Sequence, residues 1–332
     1  MNRKLVLNII IALTPIIALA VFLFVIFSSR DISILPQNNS DLEGFYSQSA
    51  LAGIECDNAE RRPIAVMIAM DPEARPLSGL SNADMVFEMI VAPSGITRLM
   101  AVFQCEIPKE IGSIRSSRLD FIPLVQGLDA IYIHWGGEKQ ALEHLNNGAT
   151  DNIDALKYES TYFFRKKSVP RPHNGFISEE LLSEAIEDFE YETKGSKTKY
   201  KHALEGENKG ITDPPPLYGG NYEVRWKYNP NENIYLRARA GEEEIDLLTG
   251  EQVEAKNVVV MFTDYSPVDK DYIRVKTTGS GKAVIYQNGI KIEGQWSKEK
   301  STDGLHFYDN SGADANFVSG PIWVEIVFED EF

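Results

Sequence analysis

Apolar and polar residues alternate in blocks whose lengths separate strands from helices. Pro63 to Ala69 (PIAVMIA) is a short continuous apolar run of the kind a strand buried on both faces shows. Met85 to Val91 and Ile96 to Gln104 are two further β-rich runs, with the turn residues Ala92-Pro93-Ser94-Gly95 between them, so a hairpin is expected. Glu88 and Arg98 lie in that hairpin, where a cross-strand ion pair is the simplest expectation. Leu119, Ile122, Val125 and Leu128 then recur at helical spacing, and Ala130 to Ile133 reads as a strand ending in His134, Trp135 and two glycines. Glu138 to Asn147 reads as a helix closed near Gly148, Asp151 to Leu156 as a further helical turn, and Ser178 as the cap of a helix carrying Leu181, Leu182, Ala185, Ile186 and Phe189. Strands mixed with helices, some joined as hairpins, predict an N-terminal α/β domain with a mixed sheet over 61–190.

The rhythm changes further on. Residues 191–220 are rich in Lys, Gly, Glu and Pro, with Pro214-Pro215-Pro216 near the end, and read as a linker or exposed loop. From Tyr222 onward eight runs read as strands, and Asn288-Gly289 between two of them is the strongest hairpin signal in the chain, because a type I′ turn needs positive φ at both residues. Residues 221–330 are therefore expected to form a mostly antiparallel β-rich C-terminal domain, making the whole α+β.

Residues 5–27 are almost wholly apolar, long enough to span a bilayer as a helix, and follow Arg3 and Lys4. The positive flank predicts a cytoplasmic tail at 1–4, a single-pass membrane anchor, and the rest of the chain outside the cytoplasm. No small-x-small cleavage signal follows the run, and no cysteine sits at its end to take a lipid. The polar stretch 28–60 reads as an extracytoplasmic stalk.

The net charge is −16, which argues against nucleic acid as a partner. The acidity is uneven: residues 174–332 hold 17 Lys/Arg against 30 Asp/Glu, whereas 94–173 hold 10 against 9. Cys56 and Cys105 are the only cysteines. Outside the cytoplasm they can oxidise, and a bridge is expected if the strand at Pro63 runs antiparallel to that at Ile96; parallel pairing would put them at opposite ends.

The phrases RPIAVMIA, ARPLSGLSNADMVFE, GITRLMAVFQ, IGSIRSSR, AIYIHWGG and RPHNGFIS, with the later AKNVVVMF, GSGKAVIYQNG and EGQW, run in order from Arg62 to Trp296. Together they resemble the YerB-like family of bacterial cell-envelope proteins, described as a domain of unknown function with N- and C-terminal parts. The resemblance implies an extracytoplasmic protein held at the membrane. Many members resemble lipoproteins, and this chain departs from them in carrying the apolar segment instead of a lipidated cysteine. It supplies no catalytic residues to carry over.

The residues themselves point to an anion site in the N-terminal domain. Arg75, Arg98, Arg115 and Arg118 lie in or near its loops and strands, and arginine's fork suits carboxylate and phosphate. Arg115, Ser117 and Arg118 flank a turn that opens a helix, and Ser78 lies in the loop after Arg75. His134 and His173 are expected at the rim, with Asn174 beside them in the PHN loop. The competing reading is a serine-type hydrolase, with Ser116 or Ser117 as nucleophile, His134 or His173 as base and Asp120 or Asp129 as orienter, although no G-x-S-x-G elbow is present. No metal-ligand spacing and no cofactor motif occur. The expected role is binding of a ligand or partner, with the lipid bilayer contacted through the N-terminal helix and peptidoglycan or envelope proteins as candidate partners.

Overall fold

A computed structural model describes residues 47–203, 206 and 210–329. The expected tail, membrane segment and most of the stalk lie outside the described residues. Among the described residues no helix is long and apolar enough to cross a membrane.

The strands used below are β1 (Ile64–Ala69), β2 (Met85–Ile90), β3 (Thr97–Phe103), β4 (Glu110–Gly112), β5 (Ile131–His134), β6 (Asn152–Asp154), β7 (Phe164–Arg165) and β8 (Gly175–Ser178). They continue with β9 (Val224–Asn229), β10 (Ile234–Arg239), β11 (Asn257–Thr263), β12 (Tyr265–Pro267), β13 (Ile273–Val275), β14 (Gly279–Gln287), β15 (Ile290–Lys298), β16 (His306–Asp309) and β17 (Ile322–Phe328). The helices are α1 (Ile122–Leu128), α2 (Lys139–Asn146) and α3 (Glu179–Asp188).

Ten strands form one mixed sheet in the order β16-β15-β14-β11-β17-β2-β3-β1-β5-β6. The C-terminal strand β17 lies parallel to both β11 and β2, so residues of 61–190 and of 221–330 share this sheet. Both faces are covered, which is why the central strands are continuous apolar runs. Ile64, Val66 and Ile68 of β1 pack on one face with Ile177, Leu182, Trp226 and Tyr235. Ala65 and Met67 pack on the other with Phe121, Leu124, Val125 and Ala141 from α1, α2 and the turn before them. Smaller sheets, β4-β8-β7 and one built around β9 and β10, lie outside the main one, giving the α+β class.

The β2–β3 hairpin forms as the pattern predicts. Asn288 and Gly289 take φ of 51° and 67° and join β14 to β15. Ser178 caps α3, its hydroxyl accepting from the Leu181 N–H at 3.2 Å. The turn of helix expected at 151–156 begins instead as β6, because Asn152 to Asp154 add an edge beside β5. The Glu88–Arg98 pair does not form. Glu88 stands opposite Leu99 and Arg98 opposite Met89, so strand alternation sends the two charges to opposite faces. β1 runs antiparallel to β3 with Ile64 opposite Phe103, and just beyond these ends Cys56 and Cys105 are joined by a disulfide with Cα atoms 5.8 Å apart.

Candidate functional site

The segment Ser113–Arg118 is stitched between two parts of the main sheet. Ser113 O accepts from Ala69 N at 2.9 Å, and Arg115 N donates to Met67 O at 2.8 Å, along β1. On its other side Arg115 O accepts from Trp135 N at 3.0 Å, and Ser117 N donates to Gly136 O at 2.9 Å, just past β5. Glycine is needed at the second contact: Gly136 has φ of 62°, and a Cβ on Gly137 would stand 3.1 Å from the backbone and side chain of Ser117. The GSIRSSR and HWGG phrases are therefore two halves of one local structure.

This stitching gathers Arg98, Arg115 and Arg118. Arg98 lies on β3 and is only 3% exposed. Its Nη1 donates to Ser116 O at 3.1 Å, and its Nε has no partner. The Nε atoms of Arg115 and Arg118 are likewise buried without a partner. Arg118 donates Nη1 to Ser117 O at 3.2 Å and rests its guanidinium 5.1 Å from the centre of the Tyr272 ring. Among the described residues none of these three arginines forms an ion pair with a carboxylate, whereas Arg62, Arg165, Arg237, Arg239 and Arg274 all do.

The electrostatics follow from that packing. Burial, and then the fields of Arg118 and Arg115, push the Arg98 pKa down, while Asp71 opposes them. A guanidinium stays protonated at ordinary pH, so positive charge is held here at a cost that an anion would relieve. Asp71 also faces His173: Asp71 Oδ2 and His173 Nδ1 are 3.5 Å apart, yet neither atom completes a hydrogen bond. Burial lowers the His173 pKa, with Asp71 opposing the shift. The Ser113 hydroxyl is buried nearby in the chain and also lacks a partner.

The other expected site residues go elsewhere. Arg75 is drawn to main-chain oxygens, giving Nη2 to Met70 O at 2.6 Å and to Asn221 O at 2.8 Å. Ser78 donates to Glu110 Oε1 at 2.7 Å. Asn174 accepts from Arg165 Nη1 at 2.7 Å and donates to Lys166 O at 3.3 Å, holding β7 beside β8. His134 is fully buried rather than at a rim, with Nδ1 2.8 Å from Gly136 O and Nε2 3.2 Å from Asn152 Oδ1. Ser117 is buried and accepts from the Tyr132 hydroxyl at 3.0 Å; no hydrogen bond joins it to His134 or His173 among the described residues, so the hydrolase relay is not assembled.

Residues beyond those expected complete the surroundings. The β12–β13 hairpin brings Tyr272 to Arg118 and carries Arg274, whose Nη1 meets Glu138 Oε1 at 2.9 Å and Asp120 Oδ1 at 3.3 Å. A cavity of about 460 Å³ opens next to it, lined by Leu119, Asp120, Pro123, Tyr265 and Arg274 among others; none of the three arginines lines it. Nothing in the local sequence links residues 265–275 to residues 113–120, so these contacts carry no sequence signal. Among the described residues no cluster of three or more His, Cys, Asp or Glu could hold a metal ion.

Comparison with known proteins fits the whole described body. Residues 50–192 match the family model "Protein of unknown function (DUF3048) N-terminal domain", and residues 216–324 match its C-terminal counterpart. The chain is 30% identical over 323 residues to a Bacillus subtilis (strain 168) protein named "Putative lipoprotein YerB", covering 93% of each chain. The crystal structure of the YerB protein from Bacillus subtilis superposes with a TM-score of 0.75 at 28% identity, covering 85% of this chain and 96% of that one.

Proposed function

The chain belongs to the DUF3048 family, of which YerB is a relative along nearly its whole length, and from that premise we propose that it is a membrane-held cell-envelope protein whose N-terminal half binds an anion through Arg98, Arg115 and Arg118. One observation carries the binding role: three neighbouring arginines without a carboxylate partner, one of them almost wholly buried with an unpartnered Nε, in a protein of net charge −16. Buried charge without a counter-ion destabilises a fold, and the single bond from Arg98 Nη1 to Ser116 O offsets only part of that cost. Retaining such charge favours a ligand that supplies the missing negative charge. The role is that of an accessory module that holds a ligand or an envelope partner.

The test is calorimetric titration of the full chain in detergent with phosphate, pyrophosphate, sulfate and acetate. Wild type is expected to bind at least one of them, and Arg115→Ala to weaken that binding at least tenfold, the usual consequence of losing a charge-assisted contact. Equal affinity in both would remove Arg115 from the site.

The envelope location rests on the apolar segment 5–27 after Arg3-Lys4 and on the lipoprotein name of the relative. Protease added to intact spheroplasts should digest the folded part, and complete protection would sink the assignment.

A further inference from the structure

We propose that the cavity beside the β12–β13 hairpin is a saccharide site that takes an uncharged sugar ring of a glycan chain. It is separate from the arginine cluster, none of whose members lines it, and does not depend on the anion reading. At about 460 Å³ it falls within the range of roughly 300–1,000 Å³ usual for small-molecule sites.

Tyr265 supplies one wall. Its ring lines the cavity and is 46% exposed, a large apolar surface left open to solvent. One face is backed by Phe328 of β17, with ring centres 4.1 Å apart and 29° between the planes. That stacking fixes the ring while leaving the rest of it available. The C–H face of a sugar is apolar and carries partial positive charge, which suits the electron-rich face of an aromatic ring. Leu119, Pro123 and Val275 continue the apolar lining.

The polar groups of the lining come as joined donors and acceptors. Asp120 meets Arg274 at 3.3 Å, and Asp264 meets Lys276 at 3.6 Å. A hydroxyl both donates and accepts, so it can bond to both halves of such a pair, whereas a simple ion satisfies only one half. Arg274 is also held by Glu138 Oε1 at 2.9 Å and by Gln140 Oε1 at 3.1 Å. Its guanidinium is therefore in place before a ligand arrives, which lowers the cost of binding.

Charge argues for a neutral ligand. Asp120, Asp264 and Glu138 against Arg274 and Lys276 leave one negative charge, which disfavours an anion. A cation would meet Arg274 and Lys276 in the lining itself, and Arg118, in whose field Glu138 lies, offsets the excess.

The experiment titrates the full chain, in a polyoxyethylene detergent without sugar headgroups, with four probes: chitotetraose, maltotetraose, tetragalacturonate and choline. Calorimetry gives the affinity, and saturation-transfer NMR shows which protons of the probe touch the protein. At least one of the two neutral tetramers is expected to bind with a Kd of about 1 mM or tighter. Tyr265→Ala should weaken that binding about tenfold, while Tyr265→Phe, which keeps the ring, should retain it. Lys276→Met, at a side chain 50% exposed, is a second variant and should weaken it several-fold; circular dichroism and thermal melting check the folding of each. Arg115→Ala should leave it unchanged. No binding of either neutral tetramer would overturn the proposal and leave the anion site standing. Tighter binding of choline or tetragalacturonate than of both neutral tetramers would overturn it as well, as would wild-type affinity in both Tyr265→Ala and Lys276→Met. A loss in Arg115→Ala as large as that in Tyr265→Ala would move the sugar to the arginine cluster and overturn the assignment to this cavity.

Discussion

Glu88 and Glu325 stand directly opposite each other on the adjacent parallel strands β2 and β17, both fully buried on the same face. Two carboxylates so placed would repel strongly without positive charge between them. Arg237 from β10 supplies it, with Nη1 2.5 Å from Glu325 Oε1, Nη2 on Glu88, and Nε 2.8 Å from Glu244 Oε2. Trp323 and Trp226 flank its guanidinium at 4.0 Å and 4.8 Å. Arg239 adds a second contact to Glu88 at 2.7 Å. This network ties the two family segments together in the core of one sheet.

Arg237→Met should therefore destabilise the protein by about 3–5 kcal/mol, because it strands the buried Glu325 without a cation and leaves Glu88 and Glu244 to share Arg239. Chemical denaturation measures this. Burial pushes the Glu325 pKa up and Arg237 pulls it back, so adding Glu325→Gln to Arg237→Met should recover part of the loss. A double variant no more stable than the single one would argue against charge as the cause.

Asp84 gives a pH signature. It is 3% exposed, and burial pushes its pKa up to about 6, against the hydrogen bonds it accepts from the N–H groups of Gln104 and Cys105. With the folded pKa above the unfolded value of 3.8, its contribution to stability is full below that value and is lost as pH rises through about 6. Asp84→Asn keeps an oxygen acceptor but cannot ionise. Relative to wild type, the variant should gain about 2–3 kcal/mol between pH 4 and pH 7, at ~1.4 kcal/mol per pK unit. Urea denaturation at several pH values checks it, and a difference that does not change with pH would exclude Asp84 as the titrating group.

Most strands were legible because burial on both faces leaves short uninterrupted apolar runs, as at Ile64–Ala69 and Asn257–Thr263. Turn chemistry located the Asn288-Gly289 hairpin. The insertion of β17 between β11 and β2 left no trace, since parallel pairing between segments far apart in sequence needs no local turn. For the same reason Glu88 was read with its near neighbour Arg98, not with Arg237, which lies 149 residues away. In the candidate site, Arg115 and Arg118 were visible together because one short segment carries them. The diversion of Arg75 to Met70 O and the capture of His134 by Gly136 O depend on main-chain atoms that composition does not reveal.

The disulfide makes a third prediction. Cys56 and Cys105 are 49 residues apart, and a loop of that length contributes on the order of 4 kcal/mol by restricting the unfolded chain. Cys56→Ser with Cys105→Ser should lower stability by about 2–4 kcal/mol while leaving the circular dichroism spectrum unchanged. Addition of reductant should lower the melting temperature of wild type and not of the double variant. Equal sensitivity of both would place the effect outside this bridge.

Arg274 tests how the surroundings tune the anion site. It holds Glu138 at 2.9 Å and so keeps that carboxylate occupied, while Glu138 also lies in the field of Arg118. Arg274→Ala frees Glu138, whose Oε2 is already buried without a partner. Glu138 is already, after Tyr272, the largest influence that favours the charged form of Arg118, and the freed carboxylate would turn more of its charge there. Pyrophosphate affinity should then fall several-fold even though Arg274 is not among the arginines assigned to the ligand. Adding Glu138→Gln to Arg274→Ala removes the competing charge and should restore affinity to near the wild-type value. A loss that persists in the double variant would mean that Arg274 contacts the anion itself, and the site would have to be redrawn to include the β12–β13 hairpin.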